Sequence, residues 1–501
     1  MSDRTLREIA AMTGGVLLAP GGDEAGGSLQ AHDGVTRVTD VVTDSRQAAE
    51  GSLFVAIVGE RTDGHRHVPQ AAAAGARAAL VSDVEAVRAA MAEAGRDPES
   101  LPLVIVPDTV AALGGLARSH LAQLREQASS RGETLSVVAM TGSVGKTTTK
   151  DLTRQILAAQ APTVAPVASF NNEIGLPLTV LRADHTTRYL VLEMGASGSG
   201  HIAYLTSIAP LDAAAVLMIG HAHMGGFGSV DGVARAKSEI VTGLLPTGVA
   251  VLNLDDPRSA AMRELAPGRV LTFSASGDPR ADLRASAVEL DEQAHAVLDL
   301  HLPGARPERL RLGLPGRHNV TNALAAAGLA LAAGLDPSQV LQALAGAGLE
   351  SPHRMDVREC GGVLVIDDSY NANIDSMTAA LEALPALAGQ RRRVVIISEM
   401  LELGSASHAD HTRTGELAAA AGAQVLVPET ITIGQGAAPA AQAARAAGVH
   451  TIELPDAQAA IELLDGGHSP LRPADAVLIK GSHGSGAWRV ADHLTATDKE
   501  D

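Results

Sequence analysis

Cysteine is all but missing from this chain of 501 residues, with Cys360 standing alone. That excludes an internal disulfide framework and any zinc cluster built on cysteines. Aromatic side chains are nearly as scarce, at 2%, too few for the stacking platforms that hold single-stranded nucleic acid. Positive charge is short as well. The formal net charge is −18, which opposes any role built on neutralising a phosphate backbone. The longest Ala/Leu-rich stretch, Ala323–Leu335, is interrupted by glycines and too short to span a bilayer. Charges within Met1–Ala10 stand where a signal peptide would be apolar. A cytoplasmic protein is expected.

What remains fits a folded globular protein: 46% hydrophobic and 19% charged residues. The length exceeds a single hydrophobic core, so several domains are expected. Lysine usage is selective. Of 39 basic residues only five are lysines, namely Lys146, Lys150, Lys237, Lys480 and Lys499. A chain that uses arginine elsewhere keeps some lysines where a planar guanidinium would not serve. Lys499, in a polar stretch, reads as incidental.

The order of apolar runs points to an α/β protein of three domains. In residues 1–107, short strands at Val41–Thr43, Leu53–Val58, Ala79–Val81 and Leu103–Val106 flank a helix over Ala71–Ala79, which predicts a small wound sheet. A helix over Asp108–Gln127 opens the central domain, 108–315. Strands at Leu135–Met140, Tyr189–Glu193, Ala213–Ile219 and Val249–Leu252 follow, separated by helical segments. That alternation predicts a doubly wound, mostly parallel sheet with ligands at the carboxyl ends of its strands. After Pro315-Gly316 comes a helix over Asn319–Ala333. Strands at Val363–Ile366, Val394–Ile397, Val425–Val427 and Val477–Ile479 make the C-terminal, Rossmann-like domain 316–501.

The strongest chemical signal is Thr141-Gly142-Ser143-Val144-Gly145-Lys146-Thr147-Thr148, between an apolar strand and a helix expected to begin near Lys150. Glycines let successive backbone N–H groups turn toward phosphate oxygens; Lys146 supplies a point charge for the β/γ-phosphates and Thr147 a hydroxyl for Mg²⁺. The longer GxxxxGK[ST] pattern fails, because its first glycine would fall at Met140; a shortened GxxGKT loop remains. No guanine-reading Asn-Lys-x-Asp occurs, which disfavours a GTPase switch. Glu193 and His223 each lie at or just past a strand end, where a carboxylate and an imidazole suit a Mg²⁺ site. Taken alone, each is more often a hydrogen-bonded loop residue.

These motifs, with Glu193-Met194-Gly195-Ala196, His223…Phe227-Gly228-Ser229, Ala234-Arg235-Ala236-Lys237-Ser238-Glu239, Gly316-Arg317-His318-Asn319-Val320-Thr321-Asn322 and His353-Arg354-Met355, resemble the Mur ligase family over nearly the whole chain and in the expected order. Asp367-Asp368-Ser369-Tyr370-Asn371-Ala372-Asn373 looks like the dipeptide-adding type. The Asp-Asn-Pro-Arg signature of its amino-acid-adding neighbours is absent. Three positions depart from the pattern: Ser169 stands for asparagine, Ile374 for proline, and His483 for the arginine typical after Lys480-Gly481-Ser482.

The resemblance implies an ATP-dependent ligase joining D-alanyl-D-alanine to UDP-N-acetylmuramoyl-tripeptide through an acyl phosphate. Gly142, Ser143, Gly145, Lys146, Thr147 and Thr148 would hold the phosphates, with Asn319 at the adenine, Arg354 at a phosphate and Asp368 at the ribose. Thr147, Glu193, His223 and Lys237 would serve Mg²⁺, two ions being expected. Lys237 would do so as a carbamate, which only an unprotonated primary amine forms. Lys146, Lys237 and His223 are the implied catalytic residues. Ser45 and Arg46 would hold UDP, and Asn171, Asn172, Asn371 and Asn373 the other substrate groups. His408 faces the amine substrate or is structural. No nucleic acid or membrane partner is expected, and the chain is expected to act as a monomer. Another carboxylate–amine ligase and a silent nucleotide-binding module are the competing classes. The match at 367–373 disfavours the first, and intact Lys146, Thr147, Glu193 and His223 the second.

Overall fold

The computed structural model describes residues 3–20, 35–59, 62–167, 169–220, 227–428, 436–467 and 469–496. They fall into two compact units. The first comprises Met1–Val138, Ala161–Met194 and Ala203–Asp212; the second comprises Ala139–Gln160, Gly195–Ile202 and Ala213–Asp501.

In the first unit a five-stranded sheet runs in the order Val16–Leu18, Leu103–Ile105, Ala78–Val81, Ser52–Val55, Asp40–Val42. The first pair is antiparallel and the rest are parallel. Ser52–Val55 and Ala78–Val81 are buried at every position, as unbroken apolar runs require when both faces are covered. Phe54, Val68, Val81, Val87 and Met91 form the core between sheet and helices. The helix expected over Ala71–Ala79 instead spans Val68–Ala73. Gly75 takes φ +108°, where a Cβ would press on the backbone of Glu50, so the chain turns there and enters the strand at Ala78. Asp108 caps the helix Thr109–Ser130, accepting from the amides of Val110 and Ala111 at 2.8 and 3.0 Å. Tyr189–Glu193 pairs in parallel with Thr163–Val164.

In the second unit, parallel pairing runs from Leu244–Asn253 to Arg269–Ser274 and on to Leu283–Leu290. An antiparallel meander then continues through His295–His301 and Glu308–Pro315. The helix Asn319–Ala332 packs along the helix Lys146–Ala158. A six-stranded sheet completes the unit in the order Asp356–Cys360, Val363–Asp368, Ala476–Lys480, Arg393–Ile397, Ala423–Pro428, Thr451–Leu454. It is parallel except for its first strand. Its two faces carry separate cores, one around Ile366, Met377, Leu384 and Leu478, the other around Val365, Ile396, Ile479 and Val490. The α/β class and the mostly parallel central sheet are as the sequence implies. The antiparallel meander was not foreseen. Among the described residues, no helix is long and apolar enough to cross a membrane.

Candidate active site

The phosphate loop begins where the strand Ser136–Thr141 ends. Leu217 donates its amide to Thr141 O at 3.0 Å, and Ser143 donates to Met218 O at 2.8 Å. The Ser143 hydroxyl accepts from the Gly220 amide at 2.8 Å. These bonds clamp one side of the loop. A Cβ on Gly142 would sit 2.9 Å from Leu217 Cβ, so the close packing requires glycine. Gly145, at φ +84°, turns the chain into the helix Lys146–Ala158, and a Cβ there would strike Asn322 Oδ1. The helix therefore starts four residues before Lys150, and Lys150 lies within it, buried against Asp151 at 2.5 Å. Gly145, the N-cap residue, offers no side chain to cap this N-terminus. A helix start entered through glycine and left without a side-chain cap fits an anion.

Two of the five lysines meet at the loop. Lys146 Nζ donates to Gly142 O at 2.9 Å, and Lys237 Nζ donates to the same oxygen at 3.1 Å. The two ammonium nitrogens are thus at most the sum of those distances, 6.0 Å, apart. Lys237 lies on the helix Val230–Thr242, whose N-cap Ser229 accepts from the Gly232 amide, and its side chain is buried.

The third contributor is the segment around Arg354, whose Nη2 donates to the Thr147 hydroxyl at 3.0 Å. Its guanidinium lies 4.1 Å over the Tyr370 ring. Asn373 caps the helix Ile374–Ala388, and its Nδ2 donates to Ser143 O at 3.3 Å. Asn319 is buried, donating to Pro315 O at 2.7 Å and accepting from Asn322 at 2.8 Å. Asn322 in turn accepts from Thr149 at 3.4 Å. Asp368 receives the Lys480 ammonium at 2.5 Å, which also donates to Asn371 O at 3.1 Å. Asn371 is exposed. Burial pushes the Asp367 carboxyl above its usual range, although Ser369 and His353 both hydrogen-bond to it.

The second unit therefore brings Gly142, Ser143, Lys146, Thr147, Lys237, Arg354 and Asn373 together through direct contacts. Asn319 joins them through Asn322, while Asp368 is held by Lys480. In the first unit, Asn171 Nδ2 donates to Glu193 Oε1 at 2.8 Å, and Glu193 is buried. Asn172 Oδ1 accepts from Gly175 at 2.9 Å and serves as a local turn cap. The Ser45 hydroxyl donates to Gln70 at 2.8 Å. Arg46 forks onto Asp44, whose carboxyl the hydrogen bonds from Arg46 bring down to about 2. His223 lies outside the described residues. Among the described residues, no three His, Cys, Asp or Glu side chains converge as a ready metal set. Sequence reasoning gave no part to Asn322 or Lys480, although the scarcity of lysine did single out Lys480.

An α/β sheet, a glycine-turned loop at a strand end and two lysines around it define a nucleotide-phosphate-binding protein. Family models narrow this. The Mur ligase middle domain matches residues 140–330, the Mur ligase glutamate ligase domain 353–483, and the Mur ligase family catalytic domain 37–120. UDP-N-acetylmuramoyl-tripeptide--D-alanyl-D-alanine ligase of Mycobacterium bovis is 40% identical, covering 99% of both chains. The Escherichia coli protein of the same name is 37% identical over 80% of this chain and 82% of its own. A crystal structure of MurF from Acinetobacter baumannii superposes with a TM-score of 0.80 at 31% identity, covering 99% of each chain. MurF ligase from Thermotoga maritima in complex with ADP gives 0.72 at 26% identity, covering 93% of this chain and 99% of its own. The chain belongs to the Mur ligase family.

Proposed function

We propose that this chain joins D-alanyl-D-alanine to UDP-N-acetylmuramoyl-tripeptide at the expense of ATP, acting as a monomer in the cytoplasm. The observation that carries this is full-length similarity, 40% over 99% of both chains, to a ligase of that name. The intact Lys146 and Thr147 of the phosphate loop support it.

In the first step, a carboxylate oxygen of the tripeptide terminus bonds to the γ-phosphorus as the bond to the β-bridging oxygen breaks, giving an acyl phosphate and ADP. In the second, the dipeptide's neutral amine bonds to the acyl carbon, loses a proton, and phosphate leaves. Two anions meet in the first step, so charge neutralisation and positioning supply most of the catalysis. Lys146 and the amides of the Gly145–Thr148 turn would hold the β/γ-phosphates. Arg354, beside Thr147, adds a guanidinium suited to phosphate. Residues 1–107 hold the UDP end, 108–315 the ATP phosphates, and 316–501 the base, ribose and amine, with Ser45, Arg46, Asn319, Asp368 and Asn371 in the roles the family pattern implies.

By the family pattern Thr147, Glu193, His223 and a Lys237 carbamate would hold Mg²⁺, and the buried amine of Lys237 beside Gly142 O motivates the last. Mg²⁺ would neutralise phosphate charge and orient the γ-phosphoryl group. Incubation of the full chain with UDP-N-acetylmuramoyl-tripeptide, D-alanyl-D-alanine, ATP and Mg²⁺ should give a product heavier by one dipeptide residue unit, with one ADP per product. Dipeptide-independent ATP hydrolysis with no heavier product would refute the proposal.

A further inference from the structure

Arg354 is presented on strained backbone. Both flanking residues, His353 at φ 59° and Met355 at φ 57°, occupy the left-handed region. Residues with side chains hold that conformation only where their surroundings impose it, and such strain gathers at functional sites. A circuit of contacts surrounds His353 and Arg354 here. His353 Nδ1 lies 2.7 Å from Asp367 Oδ2, and the Tyr370 amide donates to His353 O at 3.2 Å. The His353 ring tilts against Trp488 at 6.4 Å, and Trp488 stacks on His483 at 5.5 Å with the planes 11° apart. His483 meets Tyr370 at 5.6 Å, and the Arg354 guanidinium lies 4.1 Å over that same Tyr370 ring. From there Arg354 reaches Thr147 of the phosphate loop. A chain with one tryptophan and three tyrosines places its only tryptophan in this circuit.

His483 is exposed and lies against both Trp488 and Tyr370. A guanidinium there would set a second cation beside the ring that already carries Arg354. The flat imidazole instead stacks on Trp488 and meets the Tyr370 ring tilted by 38°. We propose that His483 is a positioning residue for the nucleotide: it braces the Tyr370 ring, and through that ring it aims Arg354 at the phosphate loop. This rests on the ATP-dependent reading above.

Trp488, the single tryptophan, reports directly on the circuit. The full chain is titrated with a non-hydrolysable ATP analogue and Mg²⁺ while Trp488 emission is followed, and binding is measured independently by equilibrium dialysis. The parent should show a saturable emission change whose midpoint matches dialysis. His483→Ala should lose most of that change and bind the analogue about 3- to 10-fold more weakly, the scale of one cation–ring contact. His483→Phe, which keeps a flat ring, should restore both. Unchanged binding and emission in His483→Ala would overturn the proposal. So would a His483→Phe as impaired as His483→Ala, or a rise confined to the KM for the amine. Absence of analogue binding to the parent itself would instead remove the ATP reading, and this inference with it.

Discussion

Replacing Lys480 with methionine should destabilise the C-terminal part of the chain. Lys480 ends the strand Ala476–Lys480, and its ammonium bonds Asp368 Oδ2 at 2.5 Å and Asn371 O at 3.1 Å. The Lys480 side chain is 3% exposed and that of Asp368 18%. Methionine keeps most of the volume but leaves a largely covered carboxylate without its cation. Severing one partner of a buried pair costs about 3–5 kcal/mol; the low end, about 3 kcal/mol, applies because Asp368 keeps some access to water. The double variant Lys480→Met/Asp368→Asn should recover at least half of that loss, since no buried charge is then stranded. The assay is urea unfolding followed by Trp488 emission, because the helix Ala487–Ala496 packs against the strands Ala476–Lys480 and Val363–Asp368. A loss below about 0.5 kcal/mol in the single variant, within the ordinary range for surface substitutions, would refute the reasoning. So would a double variant no better than the single.

Lys146→Ala should keep its circular dichroism spectrum while turnover at saturating ATP falls by roughly 10²–10³, the scale for one preorganised charge donor; near-normal turnover would remove Lys146 from the phosphate site. Lys237→Ala should lose activity and regain part of it with formate, a short carboxylate that stands in for a carbamate, and full activity in Lys237→Arg would sink the carbamate role. His120 is buried between Arg4 and Ala183 O, and burial holds its imidazole down at about 4. The folded state therefore binds fewer protons than the unfolded one between pH 6.5 and about 4. Stability is full above pH 6.5 and falls by up to about 3 kcal/mol as pH drops to 4, at 1.36 kcal/mol per unit. His120→Gln should flatten that slope in pH-dependent urea midpoints, and an unchanged slope would show that another group carries it.

The features legible in the sequence were those written locally. Val394–Ile397, Val477–Ile479 and Leu190–Leu192 are continuous apolar runs, and strands covered on both faces need such runs. The loop from Gly142 to Thr148 is readable because glycine, lysine and threonine act within one turn. The antiparallel meander was also written there, as the alternation Ala296-x-Leu298-x-Leu300 and Leu310-x-Leu312-x-Leu314, all six buried. That period of two marks strands with one covered face, unlike the unbroken runs of the parallel strands. What no local pattern discloses is partnership across the chain. Asn322 fills the space left by Gly145, Arg354 reaches Thr147, and Asn373 caps its own helix while bonding Ser143. The start of the phosphate-loop helix lies earlier than the apolar pattern suggests, because its first turn, Lys146–Thr149, is all polar. Gly145, left-handed and without a side-chain cap, marks the true start.

The identity of the amine tests the central claim most directly. ATP-dependent phosphate release should be measured on UDP-N-acetylmuramoyl-tripeptide with D-alanyl-D-alanine, and in parallel with free diaminopimelate, lysine and glutamate, each also offered the other UDP-muramoyl acceptors. The expected result is release of one phosphate per dipeptide joined, with the free amino acids near background. Faster release with any free amino acid on any UDP-muramoyl acceptor would contradict the dipeptide assignment and leave only the family standing.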